Sequence, residues 1–262
     1  MPNIRIVASI VTYNSDPADV ERAAKSFLKC ILSNRLIIID NNSRIGYLEH
    51  LQKRFDAHFI QSGANRGFGF GHNIGIKNCP PCDYYLVLNP DIEIHEGTIE
   101  KLVTFMDEHH EVGLISPKII NEDGSVQYLN KRLPTVFDLF ARRFLPSFMQ
   151  RIPVIKRRMD YYLMLDKGYD DMQEVPHITG CFMLFRKSVL DKVGGFDENF
   201  FMYLEEVDIT RRVNQAGFKS LYYPYVCVTH KWARGSYKSL RLTWIHIKSA
   251  IYYFNKWGWR WI

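Results

Sequence analysis

The sequence predicts an α/β fold: a doubly wound, mostly parallel central sheet with helices on both faces, followed by a C-terminal helical extension rich in aromatic and basic residues. Three observations carry this. Ile4 to Tyr13 is β-branched and nearly uncharged after Arg5, as in a central parallel strand buried on both faces. Strand-like and helix-like stretches then alternate, the pattern of a doubly wound sheet. Finally, the run Tyr84-Tyr85-Leu86-Val87-Leu88 stops at Asn89-Pro90-Asp91. Proline cannot continue a central ladder, so Asp91 falls at the carboxyl edge of the sheet, where open α/β sheets bind ligands. A carboxylate there suits a hard divalent cation, which in turn can hold a diphosphate. Read alone, the tripeptide is better taken as a turn with Asp91 capping the next helix; the rest of the chain reverses that reading.

In chain order, Ser15-Asp16-Pro17 offers an N-cap with proline in the first turn. Val20, Ala24, Phe27, Leu28 and Ile31 recur behind it at helical spacing. Leu36 to Ile39 is a second strand, closed by Asp40-Asn41-Asn42-Ser43. A helix bearing Leu48, Leu51 and Phe55 follows, then a short strand at His58 to Ile60. Asn65 to Asn73 alternates glycines at Gly67, Gly69 and Gly71 and reads as a ligand-approaching loop before a short helix over Ile74 to Lys77. Its spacing matches neither the dinucleotide fingerprint nor a P-loop. Glu96 to His110 is a helix with Ile99, Leu102, Val103 and Met106 inward, and Gly113 to Ile120 is a strand. Pro134 to Asp166 mixes large apolar residues with Arg and Lys. It fits either a membrane-lying surface or a helical insertion with a solvated basic face. His177 to Arg186 is a strand and Ser188 to Val193 a helix stopped by Gly194-Gly195. Ile209 to Ala216 continues as a helix, and Leu221 to Thr229 is the last strand. From Tyr237 onward Trp244, Tyr252, Tyr253, Phe254, Trp257, Trp259 and Trp261 stand among Lys and Arg, as in an interfacial helix.

The totals agree with one compact domain of residues 1–236, comprising halves 1–120 and 121–236, and an extension over 237–262. The chain has 262 residues, 47% of them hydrophobic, with a net charge of +6, which suits anionic partners. No apolar run approaches the roughly 20 residues of a membrane span, and the N-terminus lacks a signal-peptide layout. The expected place is therefore the cytoplasm. The cysteine count of five is odd. Cys79-Pro80-Pro81-Cys82 has metal-pair spacing but no second pair and no nearby His, so it reads as a loop before a strand. Glu205, Glu206 and Asp208 crowd the start of a helix. Such crowding raises carboxyl pKa values and can set up a general base, although acids there also simply complement the helix dipole.

Taken together, Ile10-Val11-Thr12-Tyr13-Asn14, Asp40-Asn41-Asn42-Ser43, Asn65-Arg66-Gly67-Phe68-Gly69 and Gly71-His72-Asn73, Leu88-Asn89-Pro90-Asp91, Thr179-Gly180, Gly194-Gly195-Phe196-Asp197 and Phe201 to Asp208 stand in one order. That set resembles glycosyltransferase family 2, inverting enzymes of the GT-A fold, in its bacterial rhamnosyltransferase-like branch. The resemblance implies a donor site at Thr12, Asn14, Asp40, Asn42, Arg66, Gly67, Asn73, Asn89 and Asp91. It implies Mg²⁺ or Mn²⁺ on Asp91, with His230 as second ligand, and acceptor contacts at Thr179, Gly180 and Tyr203. Glu206 aligns with the family's catalytic Asp. The extra methylene leaves two readings open: a pocket rebuilt around Glu206, or a role shared with Glu205 or Asp208. Asn89 stands where the metal motif usually has Asp, which leaves fewer charges on the cation.

The implied activity is transfer of one sugar, L-rhamnose from dTDP-rhamnose first, to a lipid-linked saccharide in bacterial O-antigen or surface polysaccharide synthesis. It would take place at the anionic inner face of the cell membrane and without nucleic acid; a homodimer stays open. Other hexosyltransferases using UDP or GDP sugars are alternatives. So are a sugar-nucleotidyltransferase, which would show a basic glycine-rich loop where Asn14-Ser15-Asp16 stands, and a non-catalytic nucleotide-binding protein.

Overall fold

The computed structural model describes residues 4–231 and 240–262. In chain order the elements are β1 (Ile4–Thr12), α1 (Pro17–Leu28), β2 (Asn34–Asp40), α2 (Tyr47–Gln52), β3 (His58–Gln61), α3 (Phe68–Lys77), β4 (Cys82–Leu88), β5 (Ile92–Ile94), α4 (Thr98–Glu108) and β6 (Val112–Ile120). The second half holds α5 (Val136–Phe144), α6 (Ser147–Gln150), α7 (Pro153–Tyr162), β7 (Gln173–Glu174), β8 (Phe182–Arg186), α8 (Lys187–Val193), α9 (Glu205–Gln215), β9 (Lys219–His230) and α10 (Leu240–Trp257). Trp232 and the tail's expected start at Tyr237 lie outside the described residues.

One sheet runs β3-β2-β1-β4-β8-β6-β9-β5, with β7 paired to β9. Strands β3, β2, β1 and β4 are mutually parallel, β8 runs antiparallel to both its neighbours, and β6 and β9 are again parallel. Strand order reverses between β1 and β4, so a crevice opens at their carboxyl ends. Side chains alternate across each central strand. Ile6, Ala8 and Ile10 of β1, with Tyr84, Leu86 and Leu88 of β4, enter the core under α1 and α4. Val7, Tyr85 and Val87 enter the opposite core with Val189 and Ile209. Both faces are covered, which is why these strands read as unbroken apolar runs.

Three expectations change. First, α1 ends at Leu28 and Ile31 is 87% exposed; the Asn34 amide ties off the Cys30 and Leu32 carbonyls and turns the chain away. Second, the glycine-rich stretch is not a loop, because α3 already starts at Phe68. Its glycines let it sit close on the sheet: a Cβ at Gly75 would lie 2.6 Å from the Tyr85 hydroxyl. Third, the expected strand from His177 begins only at Phe182, and His177 makes a single bridge to Lys131. The thiols of Cys79 and Cys82 are free and 3.5 Å apart at the start of β4.

Gly67, the residue before α3, has φ +107°, where L side chains are strained. An added Cβ would overlap the Phe201 carbonyl. Gly67→Ala is therefore expected to cost about 2 kcal/mol or more in stability. Chemical denaturation measures this, and an unchanged midpoint would show that the Phe201 loop yields freely.

The basic stretch folds as α5, α6 and α7. Thr135 and Asp138 form a reciprocal capping box on α5. The fully buried Asp138 carboxylate also accepts from Arg158 of α7 at 2.8 and 2.6 Å. The last helix, α10, packs Tyr253 and Phe254 against Phe200, Leu204 and Val207. Among the described residues no helix is long and apolar enough to cross a membrane.

Candidate active site

The crevice at the ends of β1 and β2 brings four of the expected donor residues together. Thr12 and Asp40 are paired in register. The buried Asp40 carboxylate accepts from the Ser43 N–H at 3.2 Å and from the Thr12 hydroxyl at 3.3 Å. Asn14 and Asn42 hold φ +52° and +65°, a conformation that asparagine tolerates better than most residues. Asn14 also accepts from the Arg44 N–H. Arg66 lies at the rim, its guanidinium 4.4 Å from the Phe70 ring and 3.5 Å from Glu198. The Gly67 carbonyl accepts from Asn41 at 2.9 Å, tying the segment to β2.

Asn73 does something other than expected. Its amide donates to the Phe196 carbonyl and to Glu198, and its oxygen accepts from the Phe196 N–H. It is a buried clamp between α3 and the Gly195 loop and does not face the donor crevice.

At the end of β4, Asn89 is fixed by its N–H to the Cys181 carbonyl. Pairing of Ile92 with His230 across β5 and β9 sets Asp91 beside His230. The Asp91 Oδ2 lies 3.4 Å from His230 Nε2, and its Oδ1 is buried without a hydrogen-bond partner. Gln127 settles the imidazole's orientation. Its amide nitrogen donates to the His230 carbonyl, so its oxygen faces His230 Nδ1 at 2.9 Å. Nδ1–H is then the donor, and in the neutral ring Nε2 carries the lone pair. A carboxylate and an imidazole lone pair thus point at each other, with an orphaned carboxylate oxygen alongside. That donor set fits a divalent cation. The described residues offer no group of three or more His, Cys, Asp or Glu. Phosphate oxygens and water would therefore complete the shell, as is usual for Mg²⁺.

Across the cavity, Tyr203 and Leu204 sit at φ +73° and +70° immediately before α9, a strained conformation for bulky residues. This turn brings Glu205 and Glu206 into the lining of a cavity of about 400 Å³. Thr179, Gly180, Tyr203, Asn89 and His230 line it too. The Glu206 carboxylate lies 3.3 Å from His177 Nε2. Burial pulls the His177 imidazolium down to about 4, helped by the nearby Lys131 charge. Neutral His177 can then donate to Glu206. Burial pushes the Glu206 carboxyl up, but the His177 hydrogen bond and the Lys131 charge outweigh it and leave Glu206 lowered. Glu205, buried and beside that charge, is raised well above its ordinary value. The two neighbouring carboxyls are thus pushed in opposite directions, Glu205 toward its protonated form and Glu206 toward its ionised form, a division that suits acid and base work.

Asp208 is removed from this group. It is fully buried on the far side of α9, where it accepts from Arg212 at 2.8 Å and from the Trp257 indole at 2.9 Å, and pairs with Lys256 at 2.7 Å. It cannot share the base role. Sequence reading missed His177 as a partner of Glu206, Gln127 behind His230, and Lys131, Arg142 and His246 in the cavity wall. His177 heading an apolar run was the only local signal.

A doubly wound crevice, an Asp–His pair suited to a divalent cation and a carboxyl pair in the neighbouring cavity wall form an arrangement that can serve group transfer from a diphosphate donor. The comparisons make the class specific. The profile of glycosyl transferase family 2 matches residues 8–194. The chain belongs to glycosyl transferase family 2 and has the GT-A fold. It is 28% identical over 231 residues to the N-acetylglucosaminyl-diphospho-decaprenol L-rhamnosyltransferase of Mycobacterium tuberculosis (strain CDC 1551 / Oshkosh), covering 84% of this chain and 74% of that one. It is 26% identical over 256 residues to rhamnosyltransferase WbbL of Escherichia coli K12, covering 90% and 91%. Among solved structures it resembles GalNAc-T7 with UDP, GalNAc and Mn²⁺, at a TM-score of 0.66 and 17% identity, over 89% of this chain. It also resembles the mannosyltransferase PcManGT of Pyrobaculum calidifontis with GDP-Man and Mn²⁺, at 0.60 and 14%, over 90% of this chain. The chain spans 44% and 59% of those two longer chains.

Proposed function

We propose that this glycosyltransferase moves a hexose, L-rhamnose from dTDP-rhamnose, to a hydroxyl of a lipid-linked saccharide in surface polysaccharide synthesis, with inversion at the anomeric carbon. The observation that carries the reading is that Glu206 and His230 line one cavity, with the Asp91 carboxylate 3.4 Å from that histidine. Glu206 takes the acceptor hydroxyl proton while that oxygen attacks the anomeric carbon. The bond from that carbon to the diphosphate breaks on the opposite face, and the nucleoside diphosphate leaves. Asp91 and His230 would hold Mg²⁺ or Mn²⁺, which supplies charge neutralisation for the leaving diphosphate. Thr12, Asn14, Asp40 and Asn42 would frame the nucleoside, with Arg66 over its phosphates and Thr179, Gly180 and Tyr203 against the acceptor. The relatives' names support rhamnose and a lipid diphosphate acceptor.

A thermal-shift panel of dTDP, UDP and GDP sugars, with and without Mn²⁺, tests this. A ligand at about 100 times its Kd adds about 2.7 kcal/mol to the folded state. Metal-dependent stabilisation is expected from dTDP-rhamnose, above that from dTDP. A response to UDP or GDP sugars only would discard rhamnose.

The enzyme would work at an anionic membrane surface. Phe140, Phe144 and Phe148 are exposed on α5 and α6, beside Arg151, Lys156 and Arg157 of the following segment. Changing Phe144 and Phe148 together to Ser is expected to weaken binding to anionic liposomes about tenfold or more. Co-sedimentation equal to that of the unaltered protein would rule this face out.

A further inference from the structure

Two cations in the cavity wall have no anionic partner of their own among the described residues. Lys131 is only 9% exposed and lines the cavity. Among the described residues its ammonium makes no ion pair or hydrogen bond. Glu206, the carboxylate whose charge acts on it, is already engaged by His177. Arg142, from the inner face of α5, also lines the cavity. Its guanidinium lies 5.8 Å from the centre of the Tyr162 ring, and it too forms no ion pair among the described residues. An unpaired ammonium buried to this degree is costly, and two cations together are costlier. Such a pair is stable when an anion from outside completes it.

In that reading the donor's diphosphate already has a place beside Asp91 and His230. Lys131 bridges to His177 and so belongs to the Glu206 end, where the acceptor's hydroxyl must lie. We propose that Lys131 and Arg142 form an anion subsite for the diphosphate that joins the acceptor saccharide to its lipid. This rests on the glycosyl-transfer reading of the cavity. The outer face of the same helix agrees with it: Phe140 and Phe144 are 50% and 47% exposed. A lipid chain leaving the diphosphate past Arg142 meets an apolar ridge. A charge-assisted hydrogen bond to phosphate fixes the acceptor's depth, and hence which hydroxyl reaches Glu206.

The test uses undecyl diphosphate as probe and undecyl maltoside as its neutral counterpart, in EDTA so that no metal site contributes. Binding is followed by tryptophan fluorescence on the full chain. Undecyl diphosphate is expected to bind at least tenfold more tightly than the maltoside. Arg142→Gln and Lys131→Met should each weaken the diphosphate about tenfold or more and leave the maltoside within about twofold. Both variants should bind dTDP, UDP or GDP with Mn²⁺ as the parent does. Two variants are needed because Lys131 is deep enough that its replacement can disturb folding; Arg142 is half-buried. Equal binding of the two alkyl ligands, or variants indistinguishable from the parent, overturns the subsite. So does an equal loss of Mn²⁺-nucleotide binding, which would hand these cations to the donor. If no nucleotide binds while undecyl diphosphate does, the anion subsite stands and the transfer reading falls.

Discussion

Glu206→Gln is expected to lower kcat by about 10²- to 10⁴-fold, the usual worth of a positioned general base. The substitution keeps shape and volume, and one amide oxygen still accepts from His177. Binding of nucleotide with metal should stay within about twofold, because Asp91 and His230 are untouched. Glu205→Gln is the control. Burial and the Glu206 charge raise the Glu205 carboxyl and favour its protonated form, so an amide should cost about tenfold at most. The pH profile gives a second reading. The active form of Glu206 is ionised and its carboxyl is lowered. Activity should therefore fall only as pH drops below the ordinary glutamate range. His177→Ala removes the hydrogen bond that lowers it and should move that acid limb to higher pH. Unchanged turnover in Glu206→Gln, with Glu205→Gln inactive, would reverse the two roles.

Asp91→Asn should abolish metal-dependent donor binding and cost about a hundredfold or more in kcat. The Asp91 carboxylate is the sole acid in the donor set, since its neighbour in the motif is Asn89 and its partner is His230. Removing its charge leaves a neutral amide and an imidazole, a poor match for a hard cation. Mn²⁺ electron paramagnetic resonance reads the loss without reference to turnover. Asn89→Asp should shift the same titration the other way. Mn²⁺ affinity unchanged in Asp91→Asn would place the cation elsewhere.

Much of the frame was readable because burial writes itself into short runs. Strands β1 and β4 are covered on both faces, so their sequences are continuously apolar, and Pro90 announces where β4 stops. The site's second half was less readable because its partners come from distant chain segments. His177 meets Glu206 only because the Thr179–Gly180 turn folds against α9, and Lys131 arrives by a single bridge. Neither leaves a local pattern. The glycines at 67 to 75 look like a loop until the sheet beneath them is known; their smallness serves close packing of a helix. Asp208 is different, since its exclusion follows from helix geometry alone. Two residues on from Glu206 it lies about 200° around α9, and it must face away.

That aspartate, turned away from the cavity and buried against α10, makes the last helix an anchor of the turn before α9. Lys256 and Trp257 grip Asp208 from α10, and Leu242 and His246 of the same helix wall the cavity. Cutting the chain before this helix would strand a buried carboxylate with Arg212 alone and loosen the Tyr203–Leu204 strain that aims Glu206. A tail deletion would thus inactivate the enzyme in free solution, whatever it did to membrane binding. Membrane attachment has to be probed by single outward-facing changes such as Trp244→Ser. Helix α10 is thus packed into the wall of the candidate reaction centre, and changes that remove it are expected to act on chemistry first.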